Sequence, residues 1–245
     1  MRKLILSTIF ILLTSYTFAQ SLIVGIPSAD VAEKHHFEIT HETQWNFWGQ
    51  TSKWNSFNFA CFGLGNGLEI TSTLNNLDNK GSQNLAFGLG AKKVINLFET
   101  SDPYEHKLVI GGNALYSTTK KNIGVWTYAL YSFRIPKLKT RFTSGFSYGN
   151  SQTFGFTTFY ENDKLITTPN NKTVLLIGFE QPIVKNISFI CDWYSGKHDL
   201  ASFIPAMQFD FNHSVFIVGY KFPNNADVSD RAMIIEYMFS IPTRK

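Results

Sequence analysis

Beyond its first turn of residues, this chain lacks any long apolar run. After Leu13 no uninterrupted apolar stretch exceeds a few residues, well short of the roughly 20 that a membrane-crossing helix requires. A helical membrane protein is thereby excluded, and any membrane passage has to be made by strands. Charge is also scarce, at 16% of residues, and no Lys/Arg run is longer than two. The basic patch of a nucleic-acid-binding protein is therefore missing. There are only two cysteines, Cys61 and Cys191, each inside an apolar strand-like tract. Free thiols, buried or facing lipid, are expected, with pairing as the alternative. No Pro/Ser-rich linker divides the chain, so one domain is expected. No cofactor-binding motif is present, and no cofactor is expected.

The chain does have a distinctive beginning. Arg2 and Lys3 precede the apolar stretch Leu4 to Leu13, and Thr17-Phe18-Ala19 follows. This is the pattern of a secretory signal peptide cleaved after Ala19. No cysteine follows the cleavage point to be lipidated. The expected division is a signal peptide at 1–19, an N-terminal segment at 20–34 that lies at the mouth of the domain or inside it, a main domain at 35–241 and a tail at 242–245. Arg2 and Lys3 leave with the signal peptide, so the mature chain is closer to neutral than the +4 of the full sequence.

Aromatic residues are abundant: 23 Phe, 10 Tyr and 5 Trp. They recur with period two in short blocks separated by turn residues, which is the strand signature. Phe37, Ile39, Thr43, Trp45 and Phe47 share one face of the first block, and His36, Glu38, Thr40, Glu42, Gln44 and Asn46 share the other. The alternation returns around Phe142–Tyr148, Ile187–Trp193 and Phe203–Phe211. Apolar-out and polar-in over about ten residues is what a lipid-spanning strand needs.

Turn chemistry orders these blocks. Gly65-Asn66-Gly67 and Ile135-Pro136-Lys137-Leu138 are tight reversals, and Pro182–Asn186 and Asn212-His213 read the same way. Longer polar segments fall between them, at 75–82, 117–122, 149–172, 195–199 and 223–230. The expected fold is all-β: a closed antiparallel transmembrane β-barrel of about 12 strands, or 14 if Ser151–Tyr160 adds a hairpin, with short periplasmic turns and longer extracellular loops. Gly124 to Arg134 shows no clean face and is expected to be bulged or flanked by protein.

On this topology the inward, lumen-lining ionisable residues are Glu38, Glu42, Glu69, Lys92, Arg141, Glu180, Asp192, Asp210 and Glu236. Seven acids against two bases suggest cation preference if there is a pore; a salt-bridged network that packs the barrel shut is the equal alternative. Trp45, Phe47, Trp54, Tyr148, Trp193, Phe211, Tyr237 and Phe239 are expected as membrane-interface aromatics. Ser195, His198 and Asp199 share one loop, and His35, His36 and His41 lie near Glu38 and Glu42. Exposed loops are rich in such residues, and strand alternation splits the histidines between two faces. Neither a catalytic nor a metal site is assigned.

The signal end Phe18-Ala19-Gln20, the opening Gly25-Ile26-Pro27-Ser28-Ala29-Asp30, the tract Asp192-Trp193-Tyr194-Ser195-Gly196-Lys197 and the closing strand Ile234–Ser240 resemble the small porin-like outer-membrane barrels of Bacteroidota-type bacteria. The resemblance implies the cell outer membrane, a lipid surround and no particular substrate. The tail Ile241–Lys245 departs from the terminal aromatic common in that group. The expected function is a passive pore or transporter of small solutes, the alternative a non-conducting structural or partner-binding barrel of an envelope complex, and an outer-membrane enzyme comes third.

Overall fold

The computed structural model describes residues 21–48, 53–78, 85–98, 103–161, 164–169, 173–198 and 200–243. The proposed signal peptide lies outside them, as do Asp199 and parts of several connecting loops. Among the described residues fourteen strands form: β1 (His36–Asn46), β2 (Lys53–Gly65), β3 (Leu68–Asp78), β4 (Ala86–Asn96), β5 (Lys107–Ser117), β6 (Asn122–Ile135), β7 (Thr140–Gly149), β8 (Phe156–Glu161), β9 (Lys164–Pro169), β10 (Thr173–Val184), β11 (Ile187–Tyr194), β12 (Ser202–Phe211), β13 (Ser214–Pro223) and β14 (Ala232–Pro242). A single helical turn, α1 (Ser151–Phe154), precedes β8.

Twelve of these strands close into one antiparallel barrel, sealed where β1 pairs with β14, from His36 opposite Pro242 to Trp45 opposite Met233. Strands β8 and β9 form a separate two-stranded sheet. The barrel therefore has twelve strands, not the alternative fourteen, and Ser151–Tyr160 starts as the helical turn before becoming β8. Closure leaves no unpaired strand edge, which is the condition for strands to survive in hydrocarbon.

The two ends of the barrel differ. At one end the connections are mostly tight. In the β2–β3 turn, Gly65, Asn66 and Gly67 all have positive φ, and a Cβ on Gly67 would strike the Val94 carbonyl. The β4–β5 connection at this turn end is longer and folds back, with Arg134 N donating to Tyr104 O at 2.7 Å. The opposite, loop end carries the long connections, except that 118–121 is a tight turn with Lys121 at φ 50°.

Strand β6 corrects the sequence reading. It pairs with β5 and β7 without a register shift and alternates regularly between the two faces. Its inward side chains include Trp126, Tyr128 and Leu130, so both faces are apolar and the period-two signal is masked. The register shifts lie elsewhere, between Ser56 and Phe57, Gly63 and Gly65, and Pro182 and Val184.

Outside, the wall is apolar. Leu89, Phe146, Phe211 and Ile123 are among its most exposed residues, and Trp45, Phe47, Trp48 and Tyr220 form a run of touching rings at the loop end. The other expected interface aromatics, Trp54, Tyr148, Phe211, Tyr237 and Phe239, are exposed on the same outer surface. Trp193 is half-buried there and donates its indole N–H to Asn224 at 3.1 Å. Cys61 is buried on the inner face of β2, whereas Cys191 lies on the outer face of β11 beside Pro205 and Phe179; both are free.

Candidate functional site

The lumen of the barrel is not an open channel at its turn end. Residues 21–34 enter it and pack there before the chain turns into β1. Ile23 N donates to Ile26 O at 2.8 Å and Ser28 N to Ser21 O at 3.1 Å, while Leu22 and Pro27 form a bridge. These bonds fold Ser21–Ser28 into a compact hairpin-like turn, stiffened by Pro27. Ile23, Val24, Ile26 and Ala29 are essentially inaccessible and join one apolar core with Leu176, Ile190, Ile204, Val215, Ile217, Ile234 and Met238 from the barrel wall. Burying each isoleucine is worth about 1.5–3 kcal/mol. Gly178 makes this fit possible, because a Cβ there would lie 2.8 Å from Ile26 Cδ1 and closer still to Ile23.

Three polar anchors fix this plug. The first is Asp192 on β11, 1% exposed, whose Oδ2 accepts the N–H groups of Val24, Gly25 and Ile26 at 3.2, 2.6 and 3.0 Å. Successive backbone N–H groups converging on one oxygen form an anion nest, here occupied by the protein's own carboxylate. Tyr194, two residues further along the same face, donates its hydroxyl to Gly25 O at 2.9 Å.

The second anchor pairs neighbouring strands. Glu69 on β3 and Lys92 on β4 lie opposite each other in the ladder and are ion-paired at 3.2 Å, with side chains 0% and 1% exposed. Lys92 Nζ also donates to Ser21 O at 2.7 Å, to Ser21 Oγ at 2.9 Å and to Asp30 O at 2.5 Å. Glu69 accepts from the Ser21 hydroxyl and, at 2.7 Å, from Ala32 N. A buried pair of this kind is tolerable because its remaining donors and acceptors are used, and here they are used on the plug.

The third anchor is Asp30 of the plug itself. Arg141 Nη1 reaches Asp30 Oδ2 at 2.5 Å and Lys107 Nζ reaches Oδ1 at 3.4 Å, while Glu180 stands 3.4 Å from Arg141. Burial opposes ionisation of Asp30, yet Arg141 and Lys107 together hold its carboxyl well below the ordinary aspartate value of 3.8. The plug leaves past Gly63, whose carbonyl accepts from His35 N at 2.9 Å, and a Cβ on Gly63 would collide with the Ala32 and Glu33 carbonyls.

Of the nine ionisable residues singled out from the sequence, Glu69, Lys92, Arg141, Glu180 and Asp192 converge on the plug or on one another. Glu38, Glu42 and Glu236 are also buried, Glu42 opposite Glu236 across the β1–β14 seam, with Gln44 donating to Glu42 at 2.7 Å. Asp210 stands apart, held by Gln208 at 2.8 Å. Alternation missed three bases. Lys107 opens its strand, Arg134 lies at the rim 3.2 Å from Glu105, and Lys221 is buried opposite Ala232. The signal for Lys221 was its position between the outward rings of Tyr220 and Phe222. Asp30 could not be placed at all, because 20–34 has no periodicity.

The remaining candidates disperse. His198 is 1% exposed against the Phe154 ring, its Nε2 faces the Ser195 carbonyl at 2.9 Å rather than the hydroxyl, and burial lowers its pKa. The Ser195 hydroxyl accepts Leu175 N instead. His41 is on the outer wall between Asn58 and Thr43, and His36 pairs with Glu33 at 3.5 Å. Among the described residues, no three His, Cys, Asp or Glu side chains form a metal-binding group.

No protein-family model and no curated protein matches the chain. Among solved structures it is similar to the KdgM porin in complex with disordered oligogalacturonate, with TM-score 0.53 at 10% identity over 84% of this chain and 99% of that one. It is similar also to the NanC porin, with TM-score 0.56 at 11% identity over 83% and 98%. At such identities the likeness shows the fold alone: a closed antiparallel barrel similar to those porins.

Proposed function

We propose that this protein is a porin-type barrel of the outer membrane whose passage for small solutes is shut by its own residues 21–34. In this reading the turn end is periplasmic, the loop end faces outward, and residues 1–19 are the export signal; the chain belongs with the porin-like barrels of Bacteroidota-type bacteria. The observation that carries it is the Asp192 carboxylate buried under three plug N–H groups. A residue serving only to pack the wall would not need a charge there, whereas a latch for a removable segment does. The apolar exterior gives the barrel its lipid surround.

Planar-bilayer recordings of the refolded mature protein test this. The intact barrel is expected to be silent for most of the record, and Asp192→Ala to show steady openings. An intact barrel that conducts steadily would overturn the shut state, and an Asp192→Ala barrel that folds but stays silent would overturn the latch.

A further inference from the structure

Beyond the plug turn, toward the loop end, the lumen keeps a cavity of about 60 Å³ between Leu22 and Pro27 on the plug side and the inner faces of β1, β2, β3, β5, β6 and β14. Its wall shares Ser21 and Glu69 with the plug's second anchor and adds rings and neutral polar groups. Trp126 and Tyr128 on β6 supply two rings with centroids 4.8 Å apart, and Phe59 adds a third. Three buried polar atoms on that wall have no hydrogen-bond partner: Thr73 Oγ1 on a residue 6% exposed, Asn113 Oδ1 and Trp126 Nε1. The three residues come from three strands and line one cavity. Buried polar atoms are ordinarily satisfied, and a set left open around a cavity points to an occupant.

The open set defines that occupant. Trp126 Nε1 can only donate, Asn113 Oδ1 can only accept, and the Thr73 hydroxyl can do either. A hydroxyl group answers all three, and the C–H face of a polyhydroxylated carbon chain lies against aromatic rings. No Lys or Arg borders the cavity, while Glu236 and the Lys92-paired Glu69, 1% and 0% exposed, do; anionic ligands are thereby disfavoured. The volume is that of about two waters, which matches a terminal diol rather than a whole ring.

We propose that this cavity is a binding site for neutral polyhydroxylated molecules, polyols or sugars, which dock a terminal diol among Thr73, Asn113 and Trp126. The proposal deepens the porin-type reading and rests on it for access to the lumen. Its test uses the intact plugged barrel in lipid nanodiscs, with glycerol, glucose and gluconate as probes, followed by titration calorimetry and tryptophan fluorescence. Glycerol and glucose are expected to bind saturably and gluconate not to bind. Trp126→Phe keeps the ring and removes the donor, and Asn113→Leu keeps the volume and removes the acceptor; each is expected to weaken binding by about tenfold.

Absence of saturable binding by either neutral probe would overturn the site and leave a cavity that holds water alone. Equal binding of gluconate, or unchanged affinity in both variants with barrel folding verified by electrophoretic mobility, would overturn it as well. Because binding is read without conduction, failure here leaves the plug reading standing. Steady conduction by the intact barrel would refute the plug without touching the site.

Discussion

The two stretches of the lumen are built on opposite principles. Near the turn end the wall is charged, and its charges are spent on the plug: Lys92 makes three hydrogen bonds to it, Asp192 accepts three from it and Arg141 grips Asp30. Nearer the loop end the wall is aromatic and carries fewer ion pairs, and Thr73, Asn113 and Ser147 keep buried oxygens without partners. One stretch spends most of its charge on contacts with the plug. The other leaves polar groups unpartnered on residues that line a cavity. The difference shows that a charged lumen does not by itself describe a conduit; what matters is whether each charge already has its partner.

The comparison breaks most sharply where the plug is denied room. Gly63→Ala places a Cβ against the Ala32 and Glu33 carbonyls, backbone atoms that cannot swing away. The expected result is an undocked plug and a conducting barrel, read as steady single-channel openings. Lys92→Met comes next, because it strands Glu69 in a dry site; removing one partner of a buried pair costs about 3–5 kcal/mol. A fall in the thermal unfolding midpoint together with frequent openings is expected. Asp192→Ala leaves three plug N–H groups unanswered, a loss on the order of 3 kcal/mol, and should open the barrel while lowering the midpoint less.

Acid gives a smaller, graded effect. The carboxyl of Asp30 is held below 3.8, so its contribution to docking is fully present above that pH and is lost as pH falls through the lowered value. Loss of the Arg141–Asp30 contact should therefore add openings only in strongly acidic buffer. The smallest effect marks the outer boundary of the comparison. Lys53 and Asp230 pair at 3.6 Å on the surface with side chains more than half exposed, and Lys53→Ala should leave both conductance and midpoint unchanged.

Much of this was legible before the fold was known. Lipid imposes strict alternation on the outer face, so the strands around Phe37–Trp45, Phe142–Tyr148 and Phe203–Phe211 could be read from the sequence, and Gly65-Asn66-Gly67 marked a hairpin through its need for positive φ. Strand β6 was obscured because Trp126, Tyr128 and Leu130 face a packed interior, so neither face is polar. The plug was unreadable for a related reason. Its order comes from tertiary partners, Asp192 lying more than 160 positions away in the chain, and a segment that makes few local contacts leaves no periodic trace. The Thr73, Asn113 and Trp126 set was likewise invisible, since pairing across β2 to β6 alone brings those residues to one cavity.

The central claim is that residues 21–34 fill the lumen, and chemical labelling of the plug tests it most directly. Ala29→Cys, at a position 0% exposed, is introduced with Cys61→Ser and Cys191→Ser and treated with a membrane-impermeant maleimide in native-like lipid. The account predicts strong protection, lost when Asp192→Ala is added. Labelling of Ala29→Cys at the rate of an exposed loop cysteine, with the latch intact, would contradict it.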